Sequence, residues 1–194
     1  MNETSKALAG ILVIAATERE LAPSGGWMTL CCGVGPVDAA ARTAAALERR
    51  RPAAVVHVGI AGARRAAAFV APQIVIGTAS LYCDLTVPER FAPHEITVVE
   101  PLVAAARRAV PSALTRVIGT SGSIGHTSGC DVEAMEGFAV LRACALAGVP
   151  AIEVRAISNA IEDTDRALWR FDEAFAAIVA ATPRLVEEVA ACVS

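Results

Sequence analysis

The strongest constraint on the fold is that short apolar runs alternate with alanine-rich stretches along almost the whole chain. The apolar runs have the length of buried strands, and the alanine-rich stretches suit helices. Strands joined by helices pack as a sheet covered on both faces, so the pattern predicts a single three-layer α/β/α domain over residues 1–194. The predicted strands are 11–16, 27–34, 54–59, 73–81, 114–120 and 151–157, and the predicted helices are 36–51, 102–110, 132–147 and one from about 165 that Pro183 kinks or interrupts.

Composition limits the partners that such a chain can have. It has 194 residues, 55% of them hydrophobic, and a formal net charge of -3. A negative balance without a long basic run argues against nucleic acid and anionic membranes as partners. The uncharged run 66–83 contains Pro72 and Gln73 and does not fit a membrane-spanning helix. The apolar segment 7–16 is followed at once by charged residues, which indicates a buried strand rather than a signal peptide.

The six cysteines show no CxxC spacing and no pairing with the three histidines. This pattern predicts small buried side chains and no metal site. Cysteines that stay reduced are typical of the cytoplasm, which is the predicted location.

Three glycine-bearing turns follow predicted strands, at residues 33–35, 59–62 and 119–122. Backbone at the carboxyl ends of strands commonly lines the ligand crevice of an α/β sheet. None of the three turns has the spacing of a dinucleotide-binding or triphosphate-binding loop, so neither type of ligand is indicated.

Five polar side chains stand at the ends of predicted strands or within apolar segments. Glu18 and Glu20 follow the first strand, and Glu136 lies in an otherwise apolar helix start. A carboxylate buried there needs donors, which the paired hydroxyls of a ribose supply, but a carboxylate stabilised by the helix dipole explains Glu136 equally well. Arg155 lies within an apolar strand and predicts an acid partner, for which the first-strand glutamates are candidates. Asn159, just beyond that strand, offers one donor and one acceptor.

These residues stand in motifs that resemble the nucleoside phosphorylase/nucleosidase superfamily and, within it, the futalosine hydrolases. The motifs are AATERE at 15–20, GVG at 33–35, GIAG at 59–62, AMEGF at 134–138, GVP at 148–150 and RAISN at 155–159. The resemblance implies a central mixed sheet and N-glycosidic cleavage through an oxocarbenium-like transition state. It also implies that neither a metal nor an organic cofactor is required.

The resemblance further implies a role for each acid and for the cation. Glu136 would bind the 2′- and 3′-hydroxyls of the ribose, with Met135 packed against the sugar. Glu20 would activate the attacking water, with Glu18 as the alternative. Arg155 would hold that acid.

The same resemblance implies which residues meet the base. Gly62 and Ala61 would line the base and sugar pocket, with Phe138 and the loop 123–127 as further candidates. Adenine-releasing relatives carry Asp at the position of Asn159. An Asn can donate to the O6 of a 6-oxopurine while its carbonyl accepts the proton developing at N7, so Asn159 favours hypoxanthine as the leaving base.

The resulting prediction is hydrolysis of futalosine to hypoxanthine and dehypoxanthine futalosine in menaquinone biosynthesis. The alternatives are a methylthioadenosine/S-adenosylhomocysteine nucleosidase, a purine nucleoside phosphorylase, or a non-catalytic nucleoside-binding module. By analogy the chain is expected to form a homo-oligomer whose neighbouring subunit completes the pocket. The segments 21–33 and 85–119 are shorter than is usual in the superfamily, and both are expected to alter the pocket wall.

Overall fold

A computed structural model describes residues 3–125 and 129–193 of the chain. These residues form eight strands and five α-helices. The elements are α1 (Glu3–Ala9), β1 (Ile11–Ala15), β2 (Met28–Cys31), α2 (Pro36–Arg50), β3 (Ala54–Ala63), β4 (Ile74–Tyr82), β5 (Glu95–Thr97), α3 (Glu100–Ala109), β6 (Leu114–Thr120), β7 (Val132–Ala134), α4 (Gly137–Ala147), β8 (Ala151–Ala160) and α5 (Phe171–Val193).

All eight strands belong to one mixed sheet. β1, β2, β3 and β8 run parallel to one another, whereas β4 is antiparallel to β8 and β7 is antiparallel to β3. The pairs β4–β6 and β6–β7 are parallel, so β3, β8, β4, β6 and β7 close into a ring. The ring has its own apolar interior, formed by Ala61, Ala63, Val75, Ile118, Val132, Ala134 and Ile157.

Helices cover both faces of this sheet. α2 packs against α4, while α1 and α3 pack against α5, which also covers β3 and β8. The apolar stripe of α5 is fully buried at Ile178, Leu185 and Val189, since that face meets the sheet. The predicted α/β/α architecture with a central mixed sheet is confirmed. None of the helices among the described residues is long and apolar enough to cross a membrane.

The predicted helix at 132–147 is wrong over its first residues. Val132–Ala134 form β7, which lies between β3 and β6, and α4 begins only at Gly137. Backbone pairing on both sides overrides the helical pattern of these residues, because a buried strand satisfies its polar groups through its neighbours.

Two strands are longer than predicted. β3 continues to Ala63 and β8 to Ala160, and the two pair along their whole length. The segment predicted as a turn at 59–62 is therefore strand, and Asn159 lies within β8 rather than beyond it. Mutual pairing explains the extension, since each strand supplies the hydrogen-bond partners of the other.

The last helix also differs from its prediction. Residues Arg166–Leu168 form a short 3-10 turn in which the Asp165 carboxylate accepts the N–H of Ala167, and α5 begins at Phe171. α5 continues through Pro183, so that proline does not interrupt it. The short elements α1 and β5 were not predicted.

Candidate active site

A cavity of about 340 Å³ lies where β1, β3 and β8 end. Because these three strands run parallel, their carboxyl ends meet at one edge of the sheet, where α/β folds commonly bind ligands. The cavity is lined by Ala16, Thr17, Glu20, Val34, Ile60, Ala61, Gly62, Ile124, Glu133, Ala134, Met135, Glu136, Ser158, Asn159, Arg166, Trp169, Phe171 and Phe175.

Glu20 is the acid of the first loop that faces this cavity. It ends a 3-10 turn after β1 and is only 3% exposed, whereas Glu18 is exposed to solvent. Its Oε2 accepts the N–H and the hydroxyl of Thr17, both at 2.8 Å, and its Oε1 accepts the N–H of Ile60 at 3.1 Å. Three donors fix the orientation of this carboxylate at the cavity wall.

Arg155 lies beneath the cavity and is not part of its lining. Its Nε donates to Oε1 of Glu153 at 2.8 Å, and one terminal nitrogen lies 3.6 Å from Oε2 of Glu136. The same nitrogen lies 2.5 Å from Nε2 of His57. Glu153 and Glu136 form ion pairs with Arg155, whereas no ion pair of the described residues joins it to the candidates Glu18 and Glu20.

Glu20 nevertheless approaches the guanidinium across Gly59. A methyl group built at Gly59 would collide with both Arg155 and the Glu20 carboxylate, so a side chain at this position would push the two apart. Burial by itself lowers the pKa of Arg155, but the carboxylates of Glu153, Glu136 and Glu20 raise it above its ordinary value. The cation is thus held charged at the centre of three acids.

His57 completes the buried cluster as a neutral ring. Its Nδ1 lies 3.0 Å from the carbonyl oxygen of Ile14, which can only accept, so Nδ1 carries the proton and Nε2 accepts from Arg155. Burial, and then the neighbouring Arg155 charge, lower the pKa of His57 well below 6.5. The second oxygen of Glu153, Oε2, has no hydrogen-bond partner among the described residues.

Glu136 stands at the start of α4 and is 4% exposed. Its Oε1 accepts the N–H of Gly35 at 3.0 Å. Gly35 has a φ of 90°, a conformation that favours glycine, and it immediately precedes Pro36 at the start of α2. Burial raises the pKa of Glu136, while Arg155 and the Gly35 N–H act in the opposite direction.

Asn159 reaches the cavity because of an irregularity in β8. Ala61 pairs with Ile157 but Gly62 pairs with Asn159, so Ser158 is an additional residue in the strand. The Asn159 Nδ2 donates to the carbonyl oxygen of Ala160 at 3.0 Å, and the Ser158 hydroxyl lies 2.7 Å from its Oδ1. Together these contacts fix which way the amide faces.

The structure brings most of the predicted site residues together around this cavity. Met135, Ala61 and Gly62 line it along with Glu20, Glu136 and Asn159. Of the predicted loop 123–127, Ile124 lines the cavity, whereas residues 126 and 127 lie outside the described residues.

Phe138 is placed elsewhere. Its ring stacks on Tyr82 with centroids 5.2 Å apart and faces a second cavity of about 830 Å³ beside α2 and α4. Phe138 was expected in the pocket with Glu136, but it borders the second cavity and is not among the residues that line the first.

The aromatic outer wall of the cavity was not predicted. Trp169, Phe171 and Phe175 form it, and the guanidinium of Arg166 lies 5.7 Å from the centre of the Trp169 ring. The chain has only five Phe, two Trp and one Tyr, so three aromatic residues within seven positions were a usable signal. Glu133 also lines the cavity, and its position was not predicted. The burial of His57 and of Glu153 beside Arg155 was not predicted either.

Among residues 3–125 and 129–193, no group of three or more His, Cys, Asp or Glu is arranged to hold a metal ion. All six cysteines are free thiols. Burial raises the pKa of Cys32 and of Cys144 to about 12, which suits unreactive packing groups.

Residues 24–191 match the family model of the phosphorylase superfamily. The chain is 37% identical to the futalosine hydrolase of Streptomyces coelicolor over 185 residues, which cover 82% of this chain and 78% of that protein. These matches confirm the predicted superfamily.

Solved structures of low sequence identity share the fold. The futalosine hydrolase of Helicobacter pylori strain 26695 superposes with a TM-score of 0.79 at 16% identity, covering 92% of this chain and 97% of that one. A methylthioadenosine/S-adenosylhomocysteine nucleosidase from Colwellia psychrerythraea, solved with adenine, gives 0.78 at 20% identity, covering 94% and 95%. The chain belongs to the phosphorylase superfamily and, within it, to the futalosine hydrolase family.

Proposed function

We propose that this protein hydrolyses the N-glycosidic bond of futalosine and releases hypoxanthine. The observation that carries the proposal is the charge of the cavity floor. Glu20, Glu136 and Glu153 are buried around one guanidinium, that of Arg155, so the floor holds more negative than positive groups. A ribosyl group that becomes cationic as its base leaves is stabilised by such a floor.

Glu136 is positioned to bind the ribose hydroxyls. Its Oε1 is held by the Gly35 N–H and its Oε2 by Arg155, and a carboxylate has about four lone-pair sites, so it can accept further hydrogen bonds. Met135 lines the cavity next to it and supplies an apolar surface for the sugar.

Glu20 takes the role of general base. Its three hydrogen bonds come from groups of the protein wall and fix it at the cavity surface, where a water between Glu20 and C1′ of the nucleoside can be deprotonated. Since Glu18 is exposed and lies outside the lining, the structure supports Glu20 for this role.

Asn159 stabilises the departing base through hydrogen bonds. An amide neither gives nor takes a proton at ordinary pH, so Asn159 acts through its Nδ2 donor and its Oδ1 acceptor. Ser158 and the Ala160 carbonyl hold that amide in one orientation. An amide in this place supports hypoxanthine as the base.

Water is the proposed nucleophile. Of the described residues that line the cavity, Arg166 is the one cation, and it lies at the aromatic outer wall rather than at the floor. A phosphate nucleophile beside three carboxylates would need cationic donors near C1′. This supports hydrolysis over phosphorolysis.

The test is to incubate the purified protein with futalosine, inosine and methylthioadenosine, with and without phosphate, and to follow the free bases by chromatography. Hypoxanthine released from futalosine at the same rate with and without phosphate is the expected result. Release that requires phosphate would make the protein a phosphorylase. Binding of futalosine without any base release would make it a nucleoside-binding module.

One observation favours a second candidate, an adenine-releasing nucleosidase. The fold is shared with the Colwellia enzyme that was solved with adenine. Adenine released from methylthioadenosine, with futalosine left intact, would establish that activity and refute the role given to Asn159.

A homo-oligomer in the cytoplasm is part of the same proposal. The second cavity has mostly apolar walls, and Val37 and Leu146 on it are 79% and 71% exposed. Val34 lines the first cavity while Pro36 lines the second, so a second copy that covered this face would also border the active site. Sedimentation equilibrium tests the assembly, and a monomer at micromolar concentration would contradict it. The free thiols support the cytoplasm as the location of the protein.

A further inference from the structure

Three neighbouring strands place Glu133, Gly62 and Asn159 in one row. Gly62 of β3 pairs with Glu133 of β7 on one side and with Asn159 of β8 on the other. At the ordinary strand spacing, the outer two backbones lie about 9.5 Å apart, with a residue that has no side chain between them.

Strand alternation directs this row toward the cavity. Val132 and Ala63 are neighbours of Glu133 and Gly62, and both point into the interior of the strand ring, so Glu133 and Gly62 point out of it. The additional residue Ser158 shifts β8 by one position, which turns Asn159 to the same side although Ile157 points inward. Glu133, Gly62 and Asn159 accordingly all line the cavity.

Glu133 is held in place rather than solvated. It is 7% exposed, and its Oε1 accepts the N–H of Gly125 at 2.6 Å. A carboxylate has about four lone-pair sites, so the bond from Gly125 is compatible with a further bond from a ligand. A Cβ built on Gly62 would lie 3.1 Å from Nδ2 of Asn159, so a side chain at position 62 would crowd the gap between the two polar groups.

We propose that Glu133 is a specificity-determining residue that accepts the N1–H of a 6-oxopurine, while Asn159 binds the O6 and N7 side of the same base. This rests on the proposed function, since it places the base between the two side chains. A 6-oxopurine presents a donor at N1 to the carboxylate, and it presents the O6 acceptor and the proton developing at N7 to the amide. A 6-aminopurine presents a lone pair at N1, which the carboxylate repels, so Glu133 selects against adenine.

The test measures binding of the free bases by calorimetry, which does not depend on turnover. Hypoxanthine, 1-methylhypoxanthine and adenine are titrated into the wild-type protein and into Glu133→Gln, whose amide oxygen can still accept the Gly125 N–H. The matched control is Glu162→Gln, because Glu162 accepts the N–H of Arg65 on the surface, outside the cavity.

The wild type and the control are expected to bind hypoxanthine about tenfold to a hundredfold more tightly than 1-methylhypoxanthine, the range of a hydrogen bond to a charged group. In Glu133→Gln that ratio falls toward one and adenine binding improves. An unchanged ratio overturns the proposal, and so does an equal loss of all three bases, which would mean that Glu133 only holds the loop at Gly125.

If Glu133→Gln does not fold, the wild-type ratio decides alone, and equal binding of hypoxanthine and its 1-methyl derivative refutes the N1 contact. The futalosine assay separates the two proposals. If futalosine yields hypoxanthine but the ratio of hypoxanthine to 1-methylhypoxanthine binding is the same in Glu133→Gln as in the wild type, only the role of Glu133 is refuted. If the protein binds hypoxanthine selectively but does not hydrolyse futalosine, only the proposed function is refuted.

Discussion

Two cavities border residues 34–37, and their walls differ in chemistry. The larger, of about 830 Å³, is walled mainly by alanine, valine and leucine from α2 and α4. The smaller, of about 340 Å³, has Glu20, Glu133, Glu136 and Asn159 in its wall and Arg155 beneath it. Volume would select the first cavity, but catalysis requires converging polar groups that are held in place, and these mark the second.

The largest effect on the rate of base release is expected from a substitution at Glu20 in the smaller cavity. Glu20→Gln is expected to lower the rate of hypoxanthine release by about 100- to 10,000-fold, because an amide cannot take the proton of the attacking water. The measurement is kcat with futalosine, and Glu18→Gln in the same turn is the control. A variant that keeps more than a tenth of the wild-type rate would assign water activation to another group.

Removing the buried cation should affect stability more than any change around the apolar cavity. Arg155→Met leaves the surrounding carboxylates without their counter-charge, which costs about 3–5 kcal/mol of unfolding free energy. Urea denaturation measures it. Arg184→Met, which removes an exposed guanidinium paired with Glu187 and Glu188, is the control and should cost about 1 kcal/mol or less. Equal losses in the two variants would show that burial adds nothing to the Arg155 cluster.

Asn159→Asp tests the smaller cavity by changing the charge of one side chain in its wall without changing the shape of that side chain. It is expected to lower futalosine turnover about tenfold to a hundredfold, because O6 loses its donor. The unfolding free energy should fall by about 1 kcal/mol, the value of the bond to Ala160. Turnover and thermal unfolding are measured on the same preparation. Undiminished release of hypoxanthine would refute the role of Asn159 in base choice.

His57 gives the polar cluster a pH dependence. Its folded-state pKa lies below the unfolded value of 6.5, so the unfolded chain binds the proton first as the pH falls. Stability that is fully present above pH 6.5 should therefore decline below it, by up to about 1.4 kcal/mol per pH unit. Unfolding free energies from pH 7 to pH 5 test this. His57→Gln should flatten the slope over that window relative to the control His94→Gln, and equal slopes would contradict the assignment.

The smallest effect on catalysis is expected at the apolar cavity. Phe138→Leu removes the stacking on Tyr82 and should cost about 1–2 kcal/mol of stability. Its kcat/KM for futalosine should stay within about threefold of the wild type, since the ring does not line the smaller cavity. A tenfold rise in KM would indicate that Phe138 contacts the substrate.

Most of the element order was predictable because it depends on local periodicity. The strand Leu114–Thr120 matched its prediction, and the helix Pro36–Arg50 ended within one residue of it. Three of the differences fall at Val132–Ala134 and at the ends of β3 and β8. Each of these segments is strand because of partners distant in the chain, and no local pattern records such pairing.

The candidate site likewise has some features that the sequence determined and others that only the structure decided. The sequence by itself determined which side chains were available, and its motifs singled out Glu20, Glu136, Arg155 and Asn159. Only the tertiary structure decided that Glu153 and Glu136 form ion pairs with Arg155, that Phe138 borders the apolar cavity, and that Glu133 and Asn159 flank Gly62 in the sheet. The physical reason is that side-chain chemistry is a property of single residues. Register, strand irregularities and the closure of the ring arise only when strands far apart in the chain pair.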